Sequence, residues 1–181
     1  MNAEQRYHKL VSLLMRYPDA DYWADLPAVL IEVKRLPAGP LKNSLQAFVD
    51  HLETSDRLRL QEDYTALFDL SPATSLNLSY HLWGDGEKRA RLLTELQQLY
   101  GEAGLEKHTS ELPDYLPVLL EFVATLPNAR QSTVIRECWA GLEPVVDRLE
   151  KRQSPYAALL APLLDSLREA KTVVTAAPSA R

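Results

Sequence analysis

Three side chains in the middle of the chain have types and spacing that acid–base chemistry could use. His81 and Asp85 lie four residues apart, which would place both on one face of a helix, and Asp69 precedes them. Gly84 and Gly86 would interrupt a helix at this place. No serine or cysteine nucleophile with a partnering base can be assigned. The pattern therefore favours capping or packing roles, and we expect that the protein is not an enzyme.

Metal and phosphate motifs are missing as well. The histidines are dispersed without a His-x-x-x-His spacing, and Cys138 has no second cysteine to join it in a metal site. Residues 84–86 are a short acidic Gly-Asp-Gly sequence that does not follow a predicted strand, so they do not form a phosphate-binding loop. The sequence predicts no catalytic residue, no metal site and no permanently bound cofactor.

A second feature with possible chemistry is residues 111–117, Glu-Leu-Pro-Asp-Tyr-Leu-Pro, termed the proline joint. Each proline fixes its own φ and pushes the preceding residue toward extended conformations, so the joint should be a rigid, non-helical connector. Pro117 can open the next helix. Asp114 could then cap that helix or interact with its dipole, or the carboxylates of Glu111 and Asp114 could contact a partner. Both interpretations are open at this point.

A dense apolar and aromatic set surrounds the irregular middle of the chain. It consists of Tyr64, Phe68, Leu76, Leu78, Trp83, Leu116 and Phe122. Stripes of this kind usually pack internally, and an exposed groove is the alternative. If a groove forms, acidic rims from Asp69, Asp85, Glu111 and Asp114 would suit an arginine-containing amphipathic peptide, because carboxylates bind guanidinium groups bidentately.

Apolar residues recur at helical spacing along most of the chain, and these elements would position the side chains described above. The main stripes are Tyr7, Leu10, Val11 and Leu14; Tyr22, Leu26, Leu30 and Val33; Leu41, Leu45, Phe48, Val49 and Leu52; Leu60, Tyr64, Leu67 and Phe68; Leu92, Leu93, Leu96, Leu99 and Tyr100; Leu119, Leu120 and Val123; Val134, Ile135, Cys138, Trp139, Leu142, Val146 and Leu149; and Tyr156, Leu159, Leu160, Leu163, Leu164 and Leu167. Period-two alternation with turn chemistry is not evident. We therefore predict an all-α helical bundle.

Capping residues and prolines predict where several of these helices begin or break. Pro27 is expected in the opening turn of the second helix, and Ser55 or Asp56 is expected to cap the fourth. Pro144 should kink or divide the longest of the later stripes.

The composition is that of one ordinary globular domain. The chain has 181 residues, of which 46% are hydrophobic and 25% charged. We expect a single helical domain over residues 1–171 and a small polar tail at residues 172–181, which is predicted to be disordered.

Charge and hydropathy narrow the choice of partners. The net charge is −5 and no Lys/Arg-rich run occurs, so the footprint of a nucleic-acid or anionic-membrane binder is missing and a basic partner is favoured. No apolar run approaches the roughly 20 residues of a membrane span, and the N-terminus lacks the apolar core of a signal peptide. The sequence predicts a cytoplasmic protein that does not insert into a membrane.

Several short motifs follow one another with fixed separations between residues 12 and 122. They are Leu14-x-x-Tyr17-Pro18-Asp19-Ala20 with Trp23; Tyr64-x-x-Leu67-Phe68-Asp69; Ala73-Thr74-Ser75-Leu76; His81; Gly84 with Asp85; Arg89; Tyr100 with Gly104-Leu105; the proline joint; and Leu120-Glu121-Phe122. This ordered series resembles the NarJ/NarW family of nitrate reductase molybdenum cofactor assembly chaperones, or delta subunits, within the TorD-like redox enzyme maturation chaperones. Ala90 departs from the pattern, because the family usually has glycine there.

The resemblance implies a TorD/NarJ-like bundle of about eight to ten helices. It also implies a cytoplasmic chaperone that binds the N-terminal region of the apo catalytic (alpha) subunit of respiratory nitrate reductase. Such a chaperone assists molybdenum cofactor insertion into this client and holds back membrane attachment until maturation is complete. We expect a monomer or weak dimer. The alternatives are a chaperone of a related S-oxide or N-oxide reductase and a generic helical peptide-binding adaptor.

The candidate client-binding residues combine the apolar set with its polar neighbours. They are Tyr64, Phe68, Asp69, Leu76, His81, Asp85, Arg89, Glu111, Asp114, Leu116 and Glu121. Pro113 and Pro117 are the candidate hinge residues, since hinges are commonly a few residues at element ends. A connector flanked by prolines could equally prevent motion, so the hinge and the rigid joint are alternatives.

Overall fold

Helices account for most of the chain in a computed structural model, which describes residues 1–105, 111–126 and 132–175 and the side chains as far as residue 165. In chain order the helices are α1 (Ala3–Leu14), α2 (Ala20–Arg35), α3 (Pro40–Thr54), α4 (Arg57–Tyr64), α5 (Tyr80–Trp83), α6 (Glu87–Glu102), α7 (Leu116–Thr125), α8 (Thr133–Trp139), α9 (Leu142–Lys151) and α10 (Pro155–Thr175). Within these described ranges no strand occurs, and an isolated antiparallel bridge joins Asn77 to Tyr115. The all-α prediction is confirmed.

Side-chain caps determine where the first helices begin. Asn2 forms a capping box at the start of α1: its side chain accepts a hydrogen bond from the Gln5 amide at 2.8 Å, and the Gln5 side chain accepts one from the Asn2 amide at 2.9 Å. Asp19 caps α2. Asp56, one of the two expected caps, accepts from the Arg59 amide at 3.1 Å and starts α4. These bonds satisfy amide groups that have no partner inside their own helix.

The positions of two prolines in their helices differ from the predicted ones. Pro27 lies in the interior of α2 and not in its opening turn, because the Asp19 cap starts the helix earlier than expected. The long later stripe is divided, as predicted, but the break falls before Pro144, which occupies the first turn of α9. A proline in the first turn removes no helical hydrogen bond, so it is compatible with the start of a helix.

The least regular part of the described chain lies between α4 and α6. A π-helical turn, Thr65–Asp69, extends α4, and a 3-10 turn, Pro72–Thr74, precedes the short α5. We term residues 70–86 the connecting segment. Leu76 and Leu78 in the middle of this segment are 2% and 0% exposed, so its middle lies in the core, whereas both of its ends are at the surface.

The core brings together helices that are far apart in sequence. α1 packs against α7, and α10 packs against both α3 and α9. Tyr7, Phe48, Phe122 and Trp139 are among the aromatic side chains that are almost completely buried in this core. Burying a side chain of this size stabilises a fold by about 2 to 3 kcal/mol, so these contacts hold the proline joint and the connecting segment between well-packed helices.

The C-terminal helix extends past the expected end of the domain. α10 runs to Thr175, whereas the tail was expected to begin at residue 172. Residues 168–171, Arg-Glu-Ala-Lys, all have good helix propensity, and they carry the helix into the predicted tail. The rest of that tail, residues 176–181, lies outside the described residues.

Candidate functional site

Asp114 of the proline joint lies inside the protein and not on its surface. Its side chain is 0% exposed. One carboxylate oxygen, Oδ2, accepts hydrogen bonds from the Ser79 amide at 3.2 Å and from the Ser79 hydroxyl at 2.5 Å. The N-cap of α7 is Tyr115, and no side chain caps that end. The expectations of a helix cap and of an exposed acidic rim are therefore wrong for Asp114, which instead ties the joint to the connecting segment.

Arg89 on α6 supplies the positive charge that faces this buried carboxylate. Its side chain is 11% exposed, and its Nη2 lies 3.6 Å from Asp114 Oδ2. Nε donates to the Ser79 hydroxyl oxygen at 3.3 Å, and Nη1 pairs with the exposed Asp85 at 2.7 Å. An isolated buried carboxylate would be very costly, so Arg89 and Ser79 together permit the burial of Asp114.

Backbone bonds on both sides of Asp114 fix the joint. The Leu78 amide donates to the Asp114 carbonyl oxygen at 3.1 Å, and the Leu116 amide donates to the Leu76 carbonyl oxygen at 2.9 Å. These two bonds form the isolated bridge, which is the one place where the described chain pairs in an extended conformation. The joint and the connecting segment therefore hold one another as a two-stranded contact inside a helical protein.

Side chains from two helices also bind the joint's prolines. The Tyr100 hydroxyl on α6 donates to the Pro113 carbonyl oxygen at 2.8 Å, and the Ser12 hydroxyl on α1 donates to the Pro117 carbonyl oxygen at 2.8 Å. Contacts on both prolines favour a fixed connector. The hinge at Pro113 and Pro117 stays a prediction that a measurement of motion has to decide.

His81 links the connecting segment to α9. Its Nε2 lies 2.7 Å from the Ser75 carbonyl oxygen, so Nε2 carries a proton, and its Nδ1 accepts from Arg148 Nη1 at 3.0 Å. Arg148 also donates to the Ala73 carbonyl oxygen at 2.9 Å. Both ring nitrogens are occupied by structural partners, and Asp85 pairs with Arg89 instead of His81. This geometry assigns His81 a linking role and gives it no free nitrogen for acid–base chemistry.

The surroundings of His81 favour the neutral imidazole. Burial lowers the pKa of His81 below its usual value, and the hydrogen bond to the Ser75 carbonyl opposes that effect. The nearby Arg148 cation lowers the pKa further, because a protonated ring would face a like charge. The link to α9 therefore depends on the proton occupancy of His81.

Gly141 lets the start of α9 approach the connecting segment closely. A Cβ atom at this position would lie 2.0 Å from the Leu78 carbonyl oxygen and 2.6 Å from the Leu78 carbonyl carbon. Both distances are far below the roughly 3.5 Å of an ordinary nonbonded contact. Glycine is thus required here by backbone approach, since any side chain would overlap with backbone atoms.

The apolar residues predicted to line a groove are mostly core residues. Tyr64, Phe68, Leu76 and Leu116 are 2%, 6%, 2% and 0% exposed. Other side chains of the protein cover them. For example, the ring centroids of Tyr64 and Phe68 are 4.9 Å apart. An open groove made by these four residues is absent from the described structure, because burying them internally removes more apolar area from water. As client contacts they stay predictions that would require the protein to open.

The remaining predicted carboxylates differ in their partners. Glu121 on α7 forms an ion pair with Lys9 on α1. Asp85 pairs with Arg89. Asp69 and Glu111 are both exposed, and neither has a cation of the described chain within ion-pair distance.

Three residues that organise this region were not found by sequence reasoning. Ser79 and Arg148 are ordinary polar residues in the sequence, and their partners Asp114 and His81 lie 35 and 67 positions away. No local pattern marks such contacts. Gly141 did carry a signal, since it interrupts the apolar stripe that α8 and α9 share.

No group of three or more His, Cys, Asp or Glu side chains in the described part of the chain could hold a metal ion. None of the described helices is both long enough and apolar enough to cross a membrane.

Comparison with known proteins gives consistent matches. Residues 36–161 match a family model described as nitrate reductase delta subunit. The nitrate reductase molybdenum cofactor assembly chaperone NarJ of Escherichia coli (strain K12) is 35% identical over 158 residues, which are 86% of this chain and 66% of the relative. A NarJ protein of Bacillus subtilis (strain 168) is 30% identical over 87% of this chain and 85% of its own length. The chain thus spans just under two thirds of the length of its Escherichia coli relative.

A solved structure agrees with the architecture. A crystal structure from Archaeoglobus fulgidus, described as a redox enzyme maturation protein, superposes with a TM-score of 0.62 and covers 91% of each chain. Its sequence identity to this chain is 24%, so the likeness concerns the fold. The expected TorD/NarJ-like all-α bundle is confirmed at that level.

Proposed function

This chain belongs to the nitrate reductase delta subunit family, and from that premise we propose that it is an assembly chaperone for a nitrate reductase. The observation that carries the proposal is its similarity, at 35% and 30% identity, to proteins named as molybdenum cofactor assembly chaperones for this enzyme. These relatives are assembly chaperones and not enzymes, in agreement with the expectation from the sequence.

The client of this chaperone is the apo form of the catalytic (alpha) subunit, in the cytoplasm. The chaperone binds the N-terminal region of that subunit and assists entry of the molybdenum cofactor, which is cargo for the client and not a resident group of this chain. While bound, it holds back attachment of the client to the membrane. Each of these steps requires only reversible binding, and the bundle needs no catalytic residue to perform them.

The buried hydrogen bonds around Asp114 support a binding role, because they hold this region in one conformation. They link α6, the connecting segment and the joint by charged and backbone hydrogen bonds. A surface held in place before binding loses less conformational entropy when the client docks, so more of the contact free energy appears as affinity. We therefore expect the folded chain to bind its client without large rearrangement.

A maturation assay tests the proposed function directly. The reductase is expressed in a bacterial host that lacks its own assembly chaperones, with and without this chain, and molybdenum content and nitrate reduction are measured on the purified enzyme. We expect both quantities to rise when the chain is present. Molybdenum content equal to that of the host without any chaperone would contradict the proposal.

Calorimetry tests the finer claim about the N-terminal region. The titrant is a synthetic peptide of the first residues of the catalytic subunit, and a scrambled peptide of equal composition is the control. Binding of the native peptide alone is expected. If the chain restores molybdenum content but does not bind the peptide, recognition involves another part of the client. Stronger binding of the corresponding peptide from an S-oxide or N-oxide reductase would instead identify a different client.

A further inference from the structure

Helix α2 has a second apolar face on the side away from the core. Its inner side packs against α1 and α3 and contains the buried residues Tyr22, Leu26, Val29 and Val33. An α-helix turns by about 100° per residue, so the residues on the opposite side follow from the sequence. They are Ala20, Ala24, Pro27, Ala28 and Ile31, termed the outer stripe, and all five are exposed.

The outer stripe differs from the usual solvent face of a helix. A helix that packs one side against its own protein ordinarily presents polar residues to water on the other side. Here the outermost line of α2 has no polar side chain over residues 20–31, about 17 Å of helix, and Ile31 is 53% exposed. The aspartates in this range, Asp21 and Asp25, lie beside the stripe and not in it. A continuous apolar face of this kind is typical of a contact surface.

The spacing of the stripe is that of a helix-packing seam. Ala20, Ala24, Pro27 and Ile31 follow one another at intervals of four, three and four residues. Apolar residues recur at these intervals where two helices pack along each other in a coiled coil. The alanines would allow a second helix to approach closely, since small side chains shorten the distance between helix axes. The stripe therefore fits another helix better than an extended peptide.

We propose that the outer stripe binds the outer stripe of a second copy of this chain, with the two α2 helices antiparallel about a two-fold axis between Pro27 and Ala28. Such a contact uses the same residues on both copies, so both of its sides are described by one structure. It does not involve the client and is independent of the proposed function.

The shape of the stripe favours the antiparallel orientation. Small side chains, Ala20 and Ala24, lie at its N-terminal end, and the larger Ile31 lies at its C-terminal end. Rotation about the proposed axis sets Ile31 of each copy against Ala24 of the other, so a large side chain fills the space beside a small one. A parallel pair would set Ile31 against Ile31 and leave a gap between the alanines.

The charges of α2 favour the same orientation. Asp21 is exposed in the first turn and Lys34 in the last, and neither forms an ion pair in the described part of the chain. Both positions also suit the dipole of their own helix. In an antiparallel pair the acidic end of each helix lies beside the basic end of the other, whereas a parallel pair would bring like charges together.

Sedimentation equilibrium tests the contact with the whole chain. Stable interfaces bury about 800 Å² per partner, and the stripe is one face of one helix, so we expect a weak dimer with a dissociation constant on the order of 0.1 mM. Ile31→Glu should raise that constant about tenfold or more, because it would place a charge in the seam. Leu58→Glu is the matched control, since Leu58 is a 64% exposed leucine on α4, and it should stay within about twofold of the parent protein. Circular dichroism verifies that both variants are folded.

Cysteine cross-linking tests the orientation. Ala28→Cys would place two thiols close to the proposed axis, so mild oxidation should join two copies by a disulfide. Ala20→Cys is the control: at a rise of about 1.5 Å per residue, its two copies would lie about 22 Å apart along an antiparallel pair, far beyond the roughly 7 Å that a disulfide spans between Cα atoms. Cys138 is 0% exposed and should not contribute.

Four results would overturn the proposal. The parent protein could be monomeric up to about 1 mM, ten times the expected dissociation constant. Ile31→Glu could associate as well as the parent protein. Ala20→Cys could cross-link as efficiently as Ala28→Cys, which would exclude the antiparallel pair. Finally, Ile31→Glu could weaken binding of the apo catalytic subunit to a monomeric parent protein, which would show that the client and not a second copy occupies the outer stripe.

Discussion

The buried carboxylate of Asp114 accepts both the backbone amide and the hydroxyl of Ser79, at 3.2 and 2.5 Å, across 35 positions of the sequence. Its other oxygen, Oδ1, has no hydrogen-bond partner in the described part of the chain. One oxygen therefore carries the two hydrogen bonds and the contact with Arg89. A single side chain of the joint thus determines how the connecting segment and α6 meet.

Replacing Asp114 should destabilise the protein strongly. Asp114→Ala would leave Arg89 without its buried partner and Ser79 without an acceptor, and breaking such a network typically costs about 2 to 4 kcal/mol. Urea unfolding followed by circular dichroism measures the loss. Asp85→Asn is the control, because Asp85 is 80% exposed and its pair with Arg89 should contribute less than about 1 kcal/mol. Equal losses in the two variants would contradict the structural role assigned to Asp114.

Gly141 offers a test of backbone approach. Gly141→Ala would place a methyl group 2.0 Å from the Leu78 carbonyl oxygen, so α9 or the connecting segment has to shift. We expect a loss of about 2 kcal/mol or more in the free energy of unfolding. Gly101→Ala, inside α6 with no heavy atom near the added methyl, should instead be neutral or stabilising by up to about 1 kcal/mol. A neutral Gly141→Ala variant would show that the close contact is not maintained in solution.

The elements of this fold could be predicted from the sequence more fully than their contacts. Helical periodicity identified the stripes that became the long helices, because each stripe buries one face. Ser55 or Asp56 was predicted as a cap from local position alone, and Asp56 is the residue that caps α4. The prediction that Pro27 lies in the first turn of α2 was wrong, because the Asp19 cap starts that helix earlier. The proline and the cap are both local signals, and here they pointed to different starts. Local chemistry therefore identified the elements well and their boundaries less well.

The candidate site was harder to predict because its bonds join distant residues. Asp114 has the sequence context of a helix cap, and nothing near it indicates that Ser79 and Arg89 will surround it. Likewise, the pattern could not show whether Tyr64 and Leu116 line a groove or the core, since both uses need the same spacing. The sequence also could not show which acids pair with a cation. In the structure Asp85 and Glu121 pair with Arg89 and Lys9, whereas Asp69 and Glu111 are exposed and have no cation partner in the described part of the chain.

Stability should fall with acidity through His81. Its pKa is lowered in the folded protein, mainly by burial, so the unfolded chain binds the proton more readily. The stabilisation is therefore fully present above the unfolded value of about 6.5 and is lost as the pH falls through the lower folded pKa. Urea midpoints measured from pH 7.5 to 5 should fall more steeply for the parent protein than for His81→Gln, which cannot bind a proton there. Parallel curves would contradict this assignment.

Arg148 provides a second and independent readout of the same link. Arg148→Met removes the cation that lies 3.0 Å from His81 Nδ1, so the pKa of His81 should rise toward its usual value. Titration of the His81 ring signals by NMR measures this pKa directly. Arg152 follows Arg148 by four residues at the end of α9 and donates to the Ser71 hydroxyl at 3.3 Å. Arg152→Met is therefore the matched control, and it should leave the pKa of His81 nearly unchanged. An unchanged pKa in Arg148→Met would show that the contact does not form.

Amide exchange can decide between a fixed joint and a hinge. The Leu78 and Leu116 amides are bonded across the bridge to the Asp114 and Leu76 carbonyl oxygens. Each such bond contributes about 0.5 to 1.5 kcal/mol, and both open together only if the joint leaves the connecting segment. We expect both amides to exchange slowly and equally with and without the client's N-terminal peptide. A matched loss of protection at the two amides when the peptide binds would contradict the fixed joint and favour the hinge at Pro113 and Pro117, because it would show that the bridge opens.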